Sequence, residues 1–163
     1  GIEPALKLAA DSFPGGNLGV LATEVTLREE KFDKLRSRFA EKCTVYKIPA
    51  PGVAKLIEAG KNDSPEMIAL LQELLNPYVG KLDALVLGCT HYPFVKDAIK
   101  EILGDKTLIL DGGEGTARQT RRCLQEAGLL NDGPGSITIE NSLGTAEVLQ
   151  LSYQLLEAGG DPQ

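Results

Sequence analysis

Cys89 and His91 are the side chains of this sequence best suited to proton transfer, and they lie two positions apart after an apolar run at residues 85–87. His91 is the only histidine in the chain. A thiolate can remove a proton from carbon, and a nearby imidazole can tune the thiol or relay a proton to it. Both residues also have ordinary roles, because a free cysteine is often a small buried hydrophobe and a histidine often bonds the backbone. The pair therefore indicates thiol chemistry and leaves a structural turn open.

The elements around Cys89 are expected to hold it at one edge of a sheet. Residues 85–87 are apolar without interruption, which is typical of a strand buried on both faces of a parallel sheet. Ligands of open α/β sheets bind beyond the carboxyl ends of such strands. Pro93 fits the first turn of a following helix, so we expect that helix to direct its free N–H groups and positive end toward Cys89.

Two threonines and one glutamate form a second set of candidates. Thr23 and Thr26 follow an apolar strand at 18–22 and lie within one helical turn, so both hydroxyls can face one ligand. Capping of the next helix would explain Thr23 equally well. Glu58 follows the apolar run of the helix predicted at 53–59, and a lone glutamate on a helix is usually just solvated.

The hydrophobic pattern predicts an α/β fold, in which a mostly parallel sheet is sandwiched by helices. The predicted strands are 18–22, 44–48, 85–87 and 107–110, and the predicted helices are 2–12, 23–40, 53–59, 65–78 and 93–103. Ser64 and Pro65 supply the cap and first turn of one of these helices. After Gly113 the pattern changes to a helix at 114–127, a short strand at 137–139 and a helix at 145–157. We therefore expect one domain at 1–112 and a separate segment at 113–163.

Composition narrows the classes of function. The net charge of −6 argues against a nucleic-acid or anionic-membrane partner, since either needs a basic face. No apolar run is long enough to span a bilayer, and no signal peptide is visible. The spacing of Cys43, Cys89 and Cys123 matches no metal site, and their odd number favours free thiols in a reducing cytoplasm. We expect Cys43 and Cys123 to be buried structural thiols.

Three segments carry a resemblance to a known family. The sequence G-C-T-H-Y-P at 88–93 resembles the second-half signature of glutamate racemases, in the aspartate/glutamate racemase superfamily. N-L-G-V-L-A-T-E-V-T at 17–26 resembles the family's glycine-plus-T-x-x-T strand, and V-A-K-L-I-E-A-G at 53–60 resembles its helix with one glutamate. The order and spacing of all three segments match, and the resemblance covers most of residues 1–130.

The resemblance implies a flavodoxin-like racemase domain that interconverts L- and D-glutamate with two thiols, no cofactor and no metal. Cys89 would be one of the two catalytic thiols, the one that deprotonates L-glutamate. His91 and Glu58 would assist it, with Glu58 orienting or charging the imidazole. The activity implied is the supply of D-glutamate for peptidoglycan in the cytoplasm.

The resemblance also assigns substrate binding. Thr23, Thr26 and Thr90 would hold the carboxylate or ammonium groups of glutamate. Glu24 stands where the family has a small or basic residue, and its side chain is expected to point away from the ligand.

One part of the family pattern is missing from this sequence. Nothing corresponds to the family's first half, which has its own cysteine, so we expect a C-terminal fragment that is inactive alone. Residues 113–163 would then belong to the missing first domain. Their apolar side chains would favour a homo-oligomer; these are Leu143, Val148, Leu151 and Leu155.

Two other interpretations stay open. One is a flavodoxin-like binding or interaction domain without catalysis, in which G-C-T-H is only a buried turn. The other is an aspartate-type or hydantoin-type racemase, which a substrate assay would separate from a glutamate racemase.

Overall fold

The carboxyl ends of parallel strands form the edge of the sheet at which the candidate residues lie. A computed structural model describes residues 2–131 and 133–158. In this part of the chain the strands are β1 (Asn17–Ala22), β2 (Thr44–Pro49), β3 (Ala84–Leu87) and β4 (Leu108–Leu110). They form one sheet in the order β2-β1-β3-β4, and each neighbouring pair is parallel. The predicted α/β fold with a mostly parallel sheet is confirmed.

Helices alternate with these strands. They are α1 (Ile2–Ser12), α2 (Glu24–Arg28), α3 (Glu30–Ser37), α4 (Val53–Glu58), α5 (Pro65–Leu75), α6 (Lys96–Leu103), α7 (Gly113–Glu126) and α8 (Ala146–Ala158). Two short 3₁₀ turns lie at Asn76–Tyr78 and Tyr92–Val95. The predicted cap of α5 is confirmed, since the Ser64 hydroxyl accepts the Met67 N–H at 3.1 Å. Of the described helices, none is long and apolar enough to cross a membrane.

The core lies on both faces of the two central strands. Every residue of β3 is buried, as its uninterrupted apolar sequence predicts. Because side chains alternate along a strand, Leu18, Val20 and Val86 share one face and join a cluster with residues of α1 and α3. Leu21 and Leu85, at the intervening positions, are also fully buried. The two central strands are therefore packed on both faces up to the positions where Thr23 and Cys89 follow them.

The predicted single helix at 23–40 is wrong, because the chain breaks at Glu29 into α2 and α3. Glu29 is extended, with φ −66° and ψ 136°. Leu27 and Phe32 are both 4 % exposed, yet five residues place them about 140° apart on a straight helix with 3.6 residues per turn. The break lets both side chains reach the core. Lys47 then donates to the Leu27 carbonyl at 2.9 Å.

Residues 117–163 form a second compact unit, and residues 1–116 form the first. Residues 1, 132 and 159–163 of the two predicted domains lie outside the described part of the chain. The second unit contains the end of α7 and all of α8, whose first turn is capped by a Val148 N–H bond to the Thr145 hydroxyl at 3.4 Å. The strand predicted at 137–139 is wrong: these residues pair with no strand, and Ile137 is 69 % exposed. An isolated strand has no ladder to stabilise it.

Gly88 sets the approach of β3 to β1 immediately before Cys89. Its N–H donates to the Leu21 carbonyl at 2.7 Å. A Cβ at this position would lie 2.9 Å from Ala22 Cβ and 3.1 Å from the Leu21 carbonyl oxygen. Any side chain would therefore push the two strand ends apart.

We predict that Gly88→Ala lowers the free energy of unfolding by about 1–3 kcal/mol, because the added methyl group overpacks a backbone contact. Gly115→Ala is the matched control, since a Cβ at Gly115 in α7 meets nothing within 4 Å. The control is expected to be neutral or more stable by up to about 1 kcal/mol. Urea unfolding measures both, and equal stability of the two variants would contradict the packing argument.

Candidate active site

The order in which the chain adds strands to the sheet reverses between β1 and β3. From β1 the chain continues to β2 on one side, whereas β3 continues to β4 on the other side. In open α/β sheets, ligands bind at such a switch point, beyond the carboxyl ends of the two central strands. Thr23 follows β1 and Cys89 closely follows β3, and Leu21 is paired in register with Leu87. The candidate residues therefore share the edge of the sheet that favours a binding site.

A chain of side-chain contacts joins Cys89, His91 and Glu58. Cys89 Sγ lies 3.6 Å from His91 Nδ1, and His91 Nε2 lies 2.9 Å from Glu58 Oε1. Cys89 is half-buried, while Glu58 is exposed at the end of α4. The structure thus brings together three residues that are up to 33 positions apart in sequence.

This arrangement selects one form of the imidazole. A carboxylate oxygen only accepts hydrogen bonds, so Nε2 carries the proton that it donates to Glu58. In the neutral ring Nδ1 then has a lone pair directed at Cys89 Sγ, which can accept the thiol proton. The geometry is therefore suited to forming a thiolate at Cys89.

The expected helix end beside Cys89 is wrong. The α-helix starts only at Lys96, after the 3₁₀ turn Tyr92–Val95 that contains Pro93. Within that turn Tyr92 N–H donates to the Cys89 carbonyl at 3.2 Å and Phe94 N–H donates to the His91 carbonyl at 3.1 Å. These N–H groups are used by the turn itself, so the side-chain contacts of Cys89 are the features of the structure that favour chemistry there.

The threonine pair at the end of β1 is also formed. Thr23 and Thr26 hydroxyl oxygens lie 2.9 Å apart, and Thr26 N–H donates to Thr23 Oγ1 at 3.3 Å. Thr23 is therefore the N-cap of α2, as the alternative interpretation of its position predicted. Both threonines are half-buried, and Thr90 is exposed in the turn between Cys89 and His91.

Tyr92 is a residue of this site that sequence reasoning missed. Its ring is fully buried, and its hydroxyl donates to the Ala50 carbonyl at 3.2 Å. Burial raises the pKa of the Tyr92 phenol well above its ordinary value, and negative charge on Cys89 adds to that effect. The signal in the sequence is a tyrosine directly after His91 at a core position.

The other two cysteines have different environments. Cys43 is buried as predicted, and burial raises the pKa of its thiol. The prediction for Cys123 is wrong: it is exposed on α7, a helix without buried residues, and Gln119 Nε2 donates to its sulfur at 3.3 Å. Within residues 2–131 and 133–158, no three His, Cys, Asp or Glu side chains are grouped as metal ligands.

Comparison with known proteins identifies relatives that match nearly the whole length of this chain. A glutamate racemase of Clostridium perfringens is 42 % identical over 160 residues, which is 96 % of this chain and 62 % of that protein. The chain is a relative of the glutamate racemases. It spans less than two thirds of the length of this relative, and no protein-family model matches it.

Solved glutamate racemases share the fold. The Thermus thermophilus enzyme, in complex with beta-chloro-D-alanine, matches with a TM-score of 0.71 and 29 % identity, over 98 % of this chain and 57 % of that one. The Francisella tularensis enzyme, in complex with D-glutamate, matches with a TM-score of 0.73 and 22 % identity, over 94 % of this chain and 59 % of that one. The second likeness concerns the fold alone.

Proposed function

We propose that this chain forms one face of the active site of a cofactor-independent glutamate racemase. The observation that carries the proposal is the contact chain from Glu58 through His91 to Cys89, at the switch point of the sheet, in a relative of the glutamate racemases. A racemase must remove the α-proton on one face of the carbon and return a proton on the other. A positioned thiol and imidazole supply the first of these steps.

The proposed step at Cys89 is two proton transfers. His91 Nδ1 accepts the thiol proton, which leaves a thiolate and an imidazolium whose Nε2–H stays bonded to Glu58. The thiolate then takes the α-proton of L-glutamate, so that an S–H bond forms, the C–H bond breaks and its electron pair remains on the substrate. Glu58 and His91 do not contact the α-carbon of the substrate. His91 takes the proton of the Cys89 thiol, and Glu58 orients the ring and stabilises its positive charge.

Substrate binding is proposed for the threonines. The hydroxyls of Thr23 and Thr26 are already paired at 2.9 Å, so one donates to the other and that other can donate to a substrate carboxylate. Thr90 is exposed beside Cys89 and is assigned to the same ligand.

The opposite face is proposed to come from outside this chain. Proton return with inversion needs an acid across the carbon from Cys89, and the second thiol of the two-thiol mechanism is assigned to the part of the relatives that this chain does not span. The chain alone is then inactive, and residues 113–163 are assigned to that other domain. The whole protein is proposed to supply D-glutamate for peptidoglycan in the cytoplasm and to be a homo-oligomer.

We predict that Cys89→Ser abolishes racemisation in a chimera. In the chimera, this chain replaces the matched stretch of the Clostridium perfringens racemase, which supplies the remaining length. The hydroxyl of serine is far less acidic than a thiol, so kcat is expected to fall by about 10²-fold or more. Circular dichroism follows the loss of optical activity from L- and D-glutamate, with aspartate as the competing substrate.

Cys123→Ser is the control for this experiment, since Cys123 is an exposed thiol on α7. It is expected to keep the rate of the unsubstituted chimera. If the Cys89→Ser chimera racemises glutamate at the rate of the unsubstituted chimera, the proposed role of Cys89 is wrong. A preference for aspartate over glutamate would reassign the substrate.

We predict that Thr23→Val with Thr26→Val mainly raises KM in the same chimera, because the hydroxyls that bind the substrate are lost. Thr23→Val alone removes the N-cap of α2 and is expected to cost about 1 kcal/mol of stability. Thr145→Val, which removes the cap of α8, is the matched control for that cost. An unchanged KM in the double variant would leave Thr23 and Thr26 with the capping role only.

A further inference from the structure

Tyr92 connects the Cys89–His91 turn to the segment that follows β2. It directly follows His91 in the chain, its N–H donates to the Cys89 carbonyl at 3.2 Å, and its hydroxyl donates to the Ala50 carbonyl at 3.2 Å. The side chain is 0 % exposed and is among the largest fully buried side chains in the described residues. Its hydroxyl is thus a fixed tie between two segments that are 42 positions apart.

Ala50 extends this tie to the other parts of the site. Its N–H donates to the Ala22 carbonyl at 3.0 Å, at the end of β1 and directly before Thr23. Two residues after Ala50, Gly52 adopts φ 85° and starts α4, which ends at Glu58. The position of Ala50 therefore determines where α4 begins. Because α4 is short, the position of its first residue also determines the position of Glu58 at its end.

The Glu58 carboxylate is held in place mainly by the position of the α4 backbone. Its side chain is 66 % exposed, so packing around the carboxylate holds it only weakly, whereas Val53 and Ile57 of the same helix are fully buried. A contact of 2.9 Å between Glu58 Oε1 and His91 Nε2 thus requires α4 and the Cys89–His91 turn to keep a fixed separation.

We propose that Tyr92 is a positioning residue, whose hydroxyl fixes α4 relative to the Cys89–His91 turn so that Glu58 reaches His91 Nε2. The inference rests on the proposed function, because the Glu58 contact matters only if His91 serves Cys89. The hydroxyl is the relevant group, since phenylalanine would fill the same space and leave the Ala50 carbonyl without this donor. Because burial raises its pKa, the phenol remains a neutral donor at the pH at which thiol chemistry occurs.

The test uses the untagged chain, in which His91 is the only histidine, so nitrogen-15 NMR reports its tautomer without assignment ambiguity. Spectra are recorded across a pH series for wild type, Tyr92→Phe, Glu58→Ala and the double variant, and tautomer fractions are compared where the two ring-nitrogen shifts show a neutral ring. Tyr46→Phe is the matched control, since it removes an exposed tyrosine hydroxyl that bonds Asn17 Oδ1 at 3.4 Å. Far-UV circular dichroism confirms that each variant is folded.

We expect Glu58→Ala and Tyr92→Phe each to reduce the fraction of the Nε2–H tautomer, while Tyr46→Phe matches wild type. The double variant is expected to equal Glu58→Ala, because Tyr92 acts through Glu58. A wild-type tautomer fraction in a folded Tyr92→Phe, with Glu58→Ala altered, overturns the positioning role and leaves the proposed function intact. A wild-type fraction in Glu58→Ala overturns both. A further loss in the double variant also overturns the inference, since Tyr92 would then act independently of Glu58.

Discussion

The hydrogen bond between His91 Nε2 and the Glu58 carboxylate is the interaction on which the proposed chemistry depends. A neutral imidazole has one proton for two nitrogens, and the acceptor at Nε2 leaves the lone pair of Nδ1 facing Cys89 at 3.6 Å. Without Glu58, the ring is free to carry its proton on either nitrogen. Glu58 is 66 % exposed, and even a charged pair at such a surface contributes at most about 1 kcal/mol to stability. We therefore propose that this contact orients the ring rather than stabilises the fold.

The fold provides that contact by fixing the ends of three strands. β1 and β3 meet at the bond from Gly88 N–H to the Leu21 carbonyl, and β2 is joined to β1 by the bond from Ala50 N–H to the Ala22 carbonyl. The segments that follow these strands carry the threonine pair, α4 with Glu58, and the Cys89–His91 turn. The placement of each segment depends on strand pairing between residues far apart in sequence. The side chains can therefore meet only when the sheet has formed.

The sequence predicts the local parts of this structure and misses the parts that tertiary packing decides. The buried strand predicted at 85–87 and the Ser64 cap follow from residue types alone, and the alternation of strands and helices indicates a parallel sheet. The break at Glu29 arises because Leu27 and Phe32 must both be buried, which a helical pattern does not reveal. The bond of Tyr92 to Ala50, 42 positions away, likewise depends on a distant neighbour. Cys123 is exposed because α7 has no buried residue, which its hydrophobic pattern does not reveal. The family motifs predict which residues are candidates for the site, whereas the switch point between β1 and β3 explains why Thr23 and Cys89 lie at the same edge of the sheet.

The rate of Cys89 alkylation by iodoacetamide, resolved by peptide mass spectrometry across a pH series, tests the central claim most directly. The account predicts that near neutral pH Cys89 reacts about an order of magnitude faster in wild type than in His91→Asn or Glu58→Ala, because the imidazole takes the thiol proton. Cys123 is expected to react equally in all three proteins. Cys43 is expected to remain unlabelled until the pH rises above about 8.5, the pKa of an ordinary thiol, since burial raises its own pKa. A Cys89 that is inert in wild type, or equally reactive in all three proteins, would contradict the account and favour a structural turn.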